Sequence, residues 1–188
     1  LIAGAPLVRL FVGVEPSTET VRILDRLPRP QGQQVRWLRP SQWHVTLRFL
    51  GRADPDEARK ILTRWAAGGG FGDSPEGWKW SSTTAVLGPV AEVLGDRVVM
   101  VPVAGLDDLA ASVVAATAKL GEQPDSRPFV GHLTLCRFRK DPPPDLVGRA
   151  VVASFVVDEV TLFHSRSQPD GVVYEVLDRF PLQGAASS

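Results

Sequence analysis

The tetrapeptide His-x-Thr-Leu occurs twice in this chain, as His44-Val45-Thr46-Leu47 and as His132-Leu133-Thr134-Leu135, 88 residues apart. One H-x-T-[LV] arises by chance in on the order of a few per cent of chains this long, and a matched pair is roughly a hundredfold rarer. Each copy lies in a run rich in apolar and β-branched residues, which reads as a strand whose side chains alternate between two faces. His44 and Thr46 then share one face, as do His132 and Thr134, while Val45, Leu47, Leu133 and Leu135 point the other way into apolar packing. Two such strands, brought together by two similar halves, present two imidazoles and two hydroxyls across one groove.

The rest of the pattern fits two similar halves. Residues 7–14 read as a buried strand. A short helix follows to about residue 27, with Ser17 as its cap and the run Pro28-Arg29-Pro30-Gln31-Gly32 ending it. Strands are expected over 35–38 and 43–50, broken by Pro40. Asp54-Pro55-Asp56-Glu57 has the form of an N-cap, a first-turn proline and first-turn acids, opening a helix to about residue 66 that buries Ala58, Ile61, Leu62 and Trp65. Residues 68–82 are rich in Gly, Pro and Ser and read as an irregular loop or a short edge strand. Further strands are expected over 84–90, 97–103, 129–138, 154–165 and 172–180, with a helix over 107–120 closed by Gly121. This order places the chain in the α+β class, and with no linker between the halves residues 1–188 read as a single compact domain made of two pseudo-symmetric lobes.

Composition narrows the function. The chain has 188 residues, 44% of them hydrophobic, enough to bury a core without staples, and its one cysteine cannot form an internal disulfide. Lys and Arg number 21 against 21 Asp and Glu. A zero formal charge argues against a general nucleic-acid coat protein, which needs a surplus of cations, but leaves room for a small phosphorylated ligand or a nucleic-acid end. No apolar run approaches the roughly 18 residues of a membrane span. Residues 1–5 lack a basic n-region and run into Pro6, so no secretory signal is expected and the protein is assigned to the cytoplasm.

An imidazole titrates near pH 6.5, so at neutral pH one histidine can accept a proton while a second donates one. That pairing suits in-line attack on a phosphodiester, where water loses a proton and the leaving alkoxide gains one. Thr46 and Thr134, on the same faces, can donate hydrogen bonds to nonbridging phosphate oxygens. Neither role needs a metal. A zinc site built on the two histidines would need a carboxylate, and no Asp or Glu lies within a few residues of either motif.

The motifs and their surroundings resemble the two-histidine (2H) phosphoesterase superfamily, and in particular its RNA ligase T-like, RNA 2′,3′-cyclic phosphodiesterase family. Residues 9–14 (RLFVGV) resemble the family's opening strand, 44–51 (HVTLRFLG) its first motif, and 129–137 (FVGHLTLCR) its second. Leu162-Phe163-His164-Ser165, Gly171, Tyr174 and Pro181-Leu182 follow its closing pattern. The resemblance implies a bilobal pseudo-symmetric fold, two antiparallel-sheet lobes with outer helices flanking a central cleft. It implies hydrolysis of RNA or nucleoside 2′,3′-cyclic phosphates to 2′-phosphates by a monomer without cofactors or metal. Alternatives at the same site are 2′,5′-RNA ligation, 2′,5′-phosphodiester cleavage, or nucleotide binding with little turnover. The resemblance makes His44, Thr46, His132 and Thr134 catalytic; the sequence does not order the two histidines, and we lean to His44 as acid and His132 as base. Gly131 departs from the pattern, standing where the family usually has proline, and suggests a looser strand entry.

Five further residues are candidates for substrate binding. Arg48 shares the face of His44 and Thr46 if the strand alternates without interruption; otherwise it is an exposed strand-end charge. Arg137 falls opposite His132 by simple alternation, unless the strand ends or bulges near Cys136. Phe11 could stack on a base or belong to the core. Ser165 and Tyr174 could line the cleft. Arg139 and Lys140 are weaker candidates, Phe129 and Trp43 read as packing residues, His164 as structural, and Cys136 as a buried filler.

Overall fold

Ten strands and three α-helices are formed by the residues that the computed structural model describes, 6–30, 34–69, 80–169 and 171–183. In chain order they are β1 (Val8–Val14), α1 (Thr18–Asp25), β2 (Val35–Trp37), a 3-10 turn (Pro40–Gln42), β3 (Val45–Ala53), α2 (Pro55–Ala66), β4 (Thr83–Leu87), β5 (Glu92–Leu94) and β6 (Val98–Ala104). Then come α3 (Asp107–Ala116), β7 (His132–Phe138), β8 (Ala153–Val157), β9 (Glu159–Gln168) and β10 (Gly171–Pro181). Local chemistry sets the helix starts. The Ser17 hydroxyl accepts from the Thr20 N–H at 3.2 Å, and the Asp54 carboxylate accepts from the N–H groups of Asp56 and Glu57 at 2.8 and 3.3 Å, ahead of Pro55 in the first turn.

The strands form one curled antiparallel sheet in the order β10-β9-β1-β3-β7-β6-β4-β8, with β2 also beside β7 and β5 beside β6. One half comprises β1, β3, β9 and β10, the other β2 and β4 to β8. Two of the three helices cross the join: α1, which follows β1, lies near β8, and α3, which follows β6, lies near β3. A single buried cluster draws on both halves, including Leu10, Val45 and Leu62 from one and Val99, Val113 and Leu133 from the other. The α+β architecture is the one expected from the element order.

Several boundaries differ from the sequence reading. Residues 154–165 are not one strand. β8 pairs with β4 in one half, the pairing breaks at Asp158, and β9 pairs with β1 and β10 in the other. The alternation runs through this break without a Gly or Pro, so nothing in the pattern marks it; the Asp158 carbonyl is held instead by the distant Leu182 N–H at 2.7 Å. Helix α3 stops at Ala116 rather than 120, where the Thr117 hydroxyl donates to the Val113 carbonyl at 2.7 Å and competes with further helix. The three-residue β5 is too short to give a periodic signal. Of the loop expected over 68–82, residues 70–79 lie outside the described residues, as do residues 1–5. No helix among the described residues is long and apolar enough to cross a membrane.

Two substitutions separate local from global contributions. Leu133 is fully buried where the halves meet, so Leu133→Ala is expected to cost about 2–5 kcal/mol. Asp54→Ala, which removes one cap, is expected to cost about 1 kcal/mol. Urea unfolding of both variants against the unaltered chain measures the difference.

Candidate active site

Strands β3 and β7 meet antiparallel at one registered pair, Val45 opposite Leu133. These are the second residues of the two motifs. Antiparallel pairing about that point sets His44 toward Thr134 and Thr46 toward His132, a local two-fold arrangement. Val45 and Leu133 have no exposed surface and face the core, so the residues flanking each turn to the opposite face. There a cleft of about 340 Å³ is lined by His44, Thr46, His132 and Thr134.

Both motif strands bulge at the same place. Thr46 and Arg48 pair with the consecutive residues Gly13 and Val12 of β1, leaving Leu47 extra. Thr134 and Cys136 pair with Met100 and Val99 of β6, leaving Leu135 extra. A bulge inserts one residue and reverses the faces beyond it. Arg137 therefore turns into the cleft beside His132 and Thr134, the bulged alternative of the sequence reading. The same device overturns the placement of Arg48, which turns inward with 6% exposure and does not line the cleft. Its guanidinium donates to the Phe49 carbonyl at 2.7 Å and to the Glu122 carbonyl, tying the segment after α3 to β3. Phe49 takes the cleft position instead. A second irregularity, at Leu50 beside Gly51 with φ +64°, then restores the strand.

The two imidazoles are held alike. His44 Nδ1 lies 2.8 Å from the Gln42 carbonyl and His132 Nδ1 lies 2.7 Å from the Val130 carbonyl, in each case two residues upstream. A carbonyl only accepts, so Nδ1 carries the proton and Nε2 is the nitrogen free to exchange one. Gly131 lies between Val130 and His132, inside the second of these contacts. A Cβ there would collide with the Val103 carbonyl, while the Gly131 carbonyl accepts from the Val103 N–H at 2.8 Å. The strand entry is thus pinned to β6 rather than loosened.

Aromatic rings enclose His44. Phe11 lies 4.7 Å from it, Tyr174 meets it edge-on at 4.8 Å, and Phe163 is 5.8 Å away, all between ring centroids. Burial in this setting pushes the imidazole from its ordinary 6.5 down to about 4. The hydrogen bond to the Gln42 carbonyl opposes the shift, and the charge of His132 adds to it. Phe11 lines the cleft as one of its walls, but it is only 3% exposed and stacks on Phe163 at 4.7 Å and 12°, so it also braces His44. Cys136, buried behind the sheet, has its thiol pushed up to about 11 by burial and is no nucleophile at neutral pH.

Ser165 and Tyr174, paired across β9 and β10, line the cleft as expected. His164 faces Glu175 at 3.8 Å outside it. The sequence reading missed Arg9, Arg36, Gln42 and Phe49. Arg36 lies directly opposite Arg137 on β2 and β7, and Arg9 lies 5.4 Å over the Phe49 ring. None of these three arginines forms an ion pair with a described residue, and no described carboxylate lines the cleft. Like charges facing one another across a strand pair repel; an anion between them would relieve that. The pairing that joins Arg36 to Arg137 is tertiary, and no signal in the sequence announces it.

In sequence and fold the chain is similar to known proteins. A family model described as the 2'-5' RNA ligase superfamily matches residues 16–169. Two similar proteins are named RNA 2',3'-cyclic phosphodiesterase. The one from Geobacillus stearothermophilus is 27% identical over 93% of this chain, which spans only 57% of its length. The one from Aquifex aeolicus (strain VF5) is 27% identical over 95% of this chain and 99% of its own. The solved structure of TT0787 from Thermus thermophilus superposes with a TM-score of 0.76 at 27% identity, covering 94% of this chain and 99% of its own.

The lowered pKa of His44 makes a stability prediction. The unfolded chain binds that proton near pH 6.5 and the folded chain only near pH 4. The contribution of a neutral His44 is therefore complete above about pH 6.5 and is lost as the pH falls toward 4. Stability measured by urea unfolding at pH 7 and pH 4 is expected to drop further in the unaltered protein than in His44→Gln, and equal drops would contradict the burial argument.

Proposed function

Because this chain belongs to the 2'-5' RNA ligase superfamily, we propose that it is a phosphodiesterase that opens 2′,3′-cyclic phosphates on RNA ends or nucleosides to 2′-phosphates. The observation that carries the reading is the antiparallel pairing of Val45 with Leu133, which sets both His-x-Thr motifs on one cleft face. The names of the two similar proteins support the substrate class.

The proposed reaction uses this chain's own groups throughout. One histidine takes a proton from water through Nε2, the water oxygen bonds to phosphorus, the bond from phosphorus to the 3′ oxygen breaks, and the other histidine delivers its Nε2 proton to that oxygen. Thr46 and Thr134, each set toward the opposite histidine, donate to the nonbridging oxygens. Arg36 and Arg137 hold the phosphate charge, in a cleft whose protein walls make such contacts stronger than they are in open water. Acid, base and charge stabilisation are thus all supplied by side chains of a single chain, and the proposal requires neither a metal nor a partner subunit.

The neutral state of His44 bears on its role. An imidazole that donates from Nε2 while Nδ1 keeps its proton must first be imidazolium, so the acid role preferred for His44 requires a proton to be taken up as the anionic phosphate enters and offsets the burial that holds the imidazole near 4. His132 then activates the water.

Three measurements test these assignments. His44→Ala and His132→Ala are each expected to lower kcat on adenosine 2′,3′-cyclic phosphate by about 10²–10⁴-fold; near-normal turnover in either would end the two-histidine mechanism. Turnover is expected to survive EDTA, and a loss that zinc restores would point to a metal enzyme. Calorimetry of 2′-AMP binding at pH 6.5 in buffers of different ionisation enthalpy should show proton uptake that disappears in His44→Gln. Binding without uptake would leave His44 neutral and exchange the two roles.

A further inference from the structure

Gln42 closes the 3-10 turn that leads into β3, and its polar groups are engaged in three directions. Its backbone carbonyl accepts from Nδ1 of His44 at 2.8 Å. Its side-chain Oε1 accepts from the Arg39 N–H at 2.9 Å, and its Nε2 donates to the Val172 carbonyl at 2.7 Å. A backbone N–H can only donate and a carbonyl can only accept, so these two partners fix which end of the amide is oxygen and which is nitrogen. A carboxylate of the same length could serve Arg39 but not Val172, and an aliphatic side chain could serve neither.

The bond to Val172 reaches the far wall of the site. β10 ends the sheet order, with β9 as its strand partner, and its Val172 carbonyl takes the Gln42 amide. A strand at the end of a sheet is held by one neighbouring strand, so a side-chain tie from the turn adds to what fixes it. Tyr174 lies two residues beyond Val172, lines the same cleft, and packs edge-on against His44 with ring centroids 4.8 Å apart. One side chain therefore joins the two structures that flank His44: the carbonyl that holds its Nδ1 and the strand that brings Tyr174 against its ring. At the second motif the Nδ1 acceptor is the Val130 carbonyl, and Val130 has no polar side chain to do the same. That strand entry is pinned through backbone, the Gly131 carbonyl accepting from the Val103 N–H.

We propose that Gln42 is a positioning residue for His44, its side-chain amide locking the 3-10 turn to β10 so that the Gln42 carbonyl keeps the imidazole proton on Nδ1 and leaves Nε2 to the cleft. Gln42 acts through His44. The inference rests on the two-histidine phosphodiesterase reading above and adds to it a residue outside both motifs.

The test separates positioning from folding. Gln42→Glu removes the donor to Val172 while keeping the acceptor for Arg39, and Gln42→Leu removes both. At pH 7 His44 is neutral, since burial holds its pKa down to about 4, so nitrogen NMR of the ring reports its tautomer. In the unaltered protein the proton is expected on Nδ1. In both variants the signals should move toward a mixture of the two tautomers while those of His132 stay in place. On adenosine 2′,3′-cyclic phosphate kcat is expected to fall about 10- to 100-fold with KM little changed, the effect of a misaimed group rather than of lost binding. In a His44→Ala background the same substitutions should cost nothing further, because a residue acting through His44 has nothing left to act on. An unchanged His44 tautomer in both variants would overturn the positioning role, as would His132 signals that move alongside or a full additional loss of kcat in the His44→Ala background. If the unaltered protein turns over no cyclic phosphate, the phosphodiesterase reading falls, and the tautomer signals still decide whether Gln42 holds His44.

Discussion

Everything in the cleft depends on one strand contact. Val45 and Leu133 are both fully buried, and their pairing is where the two halves of the sheet join. Apolar burial on one face of each strand determines which face is left for His and Thr, because side chains alternate with a period of two. A one-residue slip at this point would bury the imidazoles and expose the leucines. The apolar residue inside each motif is as necessary to the site as the polar residues on either side of it.

The matching bulges after Thr46 and Thr134 show how a symmetric frame yields an asymmetric site. Each sends the next two residues into the core and returns the third to the cleft. On β3 the returned residue is Phe49, beneath Arg9; on β7 it is Arg137, beside Arg36. One motif thus adjoins an aromatic ring covered by Arg9, and the other a facing pair of arginines. The net charge of the chain is zero, yet the cleft gathers three arginines and no described carboxylate. Global charge balance and a locally cationic site are compatible because the acids lie elsewhere, many of them in surface ion pairs such as Arg59 with Asp56 and Arg179 with Glu159.

The enclosure of His44 carries a cost as well as a use. Phe11, Phe163 and Tyr174 fix the ring, and the Gln42 carbonyl fixes its tautomer. The same surroundings disfavour its charged form, so the proton affinity of this histidine is set by packing rather than by a carboxylate partner. His132, held by the equivalent carbonyl contact, lacks such an aromatic enclosure among the described residues. Two copies of one motif thus sit among different neighbours.

The sequence by itself determined the two motif strands, the helix caps at Ser17 and Asp54, the α+β class and the four residues at the centre of the cleft. All of these rest on short-range rules: alternation, capping, and a pattern repeated within the chain. It left open whether Arg137 faces the cleft and misplaced Arg48, because a bulge is decided by the partner strand's register and leaves no mark on the bulged strand's own pattern. It missed Arg9 and Arg36 because they reach the site by strand pairing between distant segments, and it read 154–165 as one strand because the break in pairing at Asp158 is imposed by which half each part joins. Tertiary structure alone decided the surroundings of His44. Burial depends on atoms far apart in the chain, and it is burial that sets the proton affinity of an imidazole that looks, in sequence, the same as its partner.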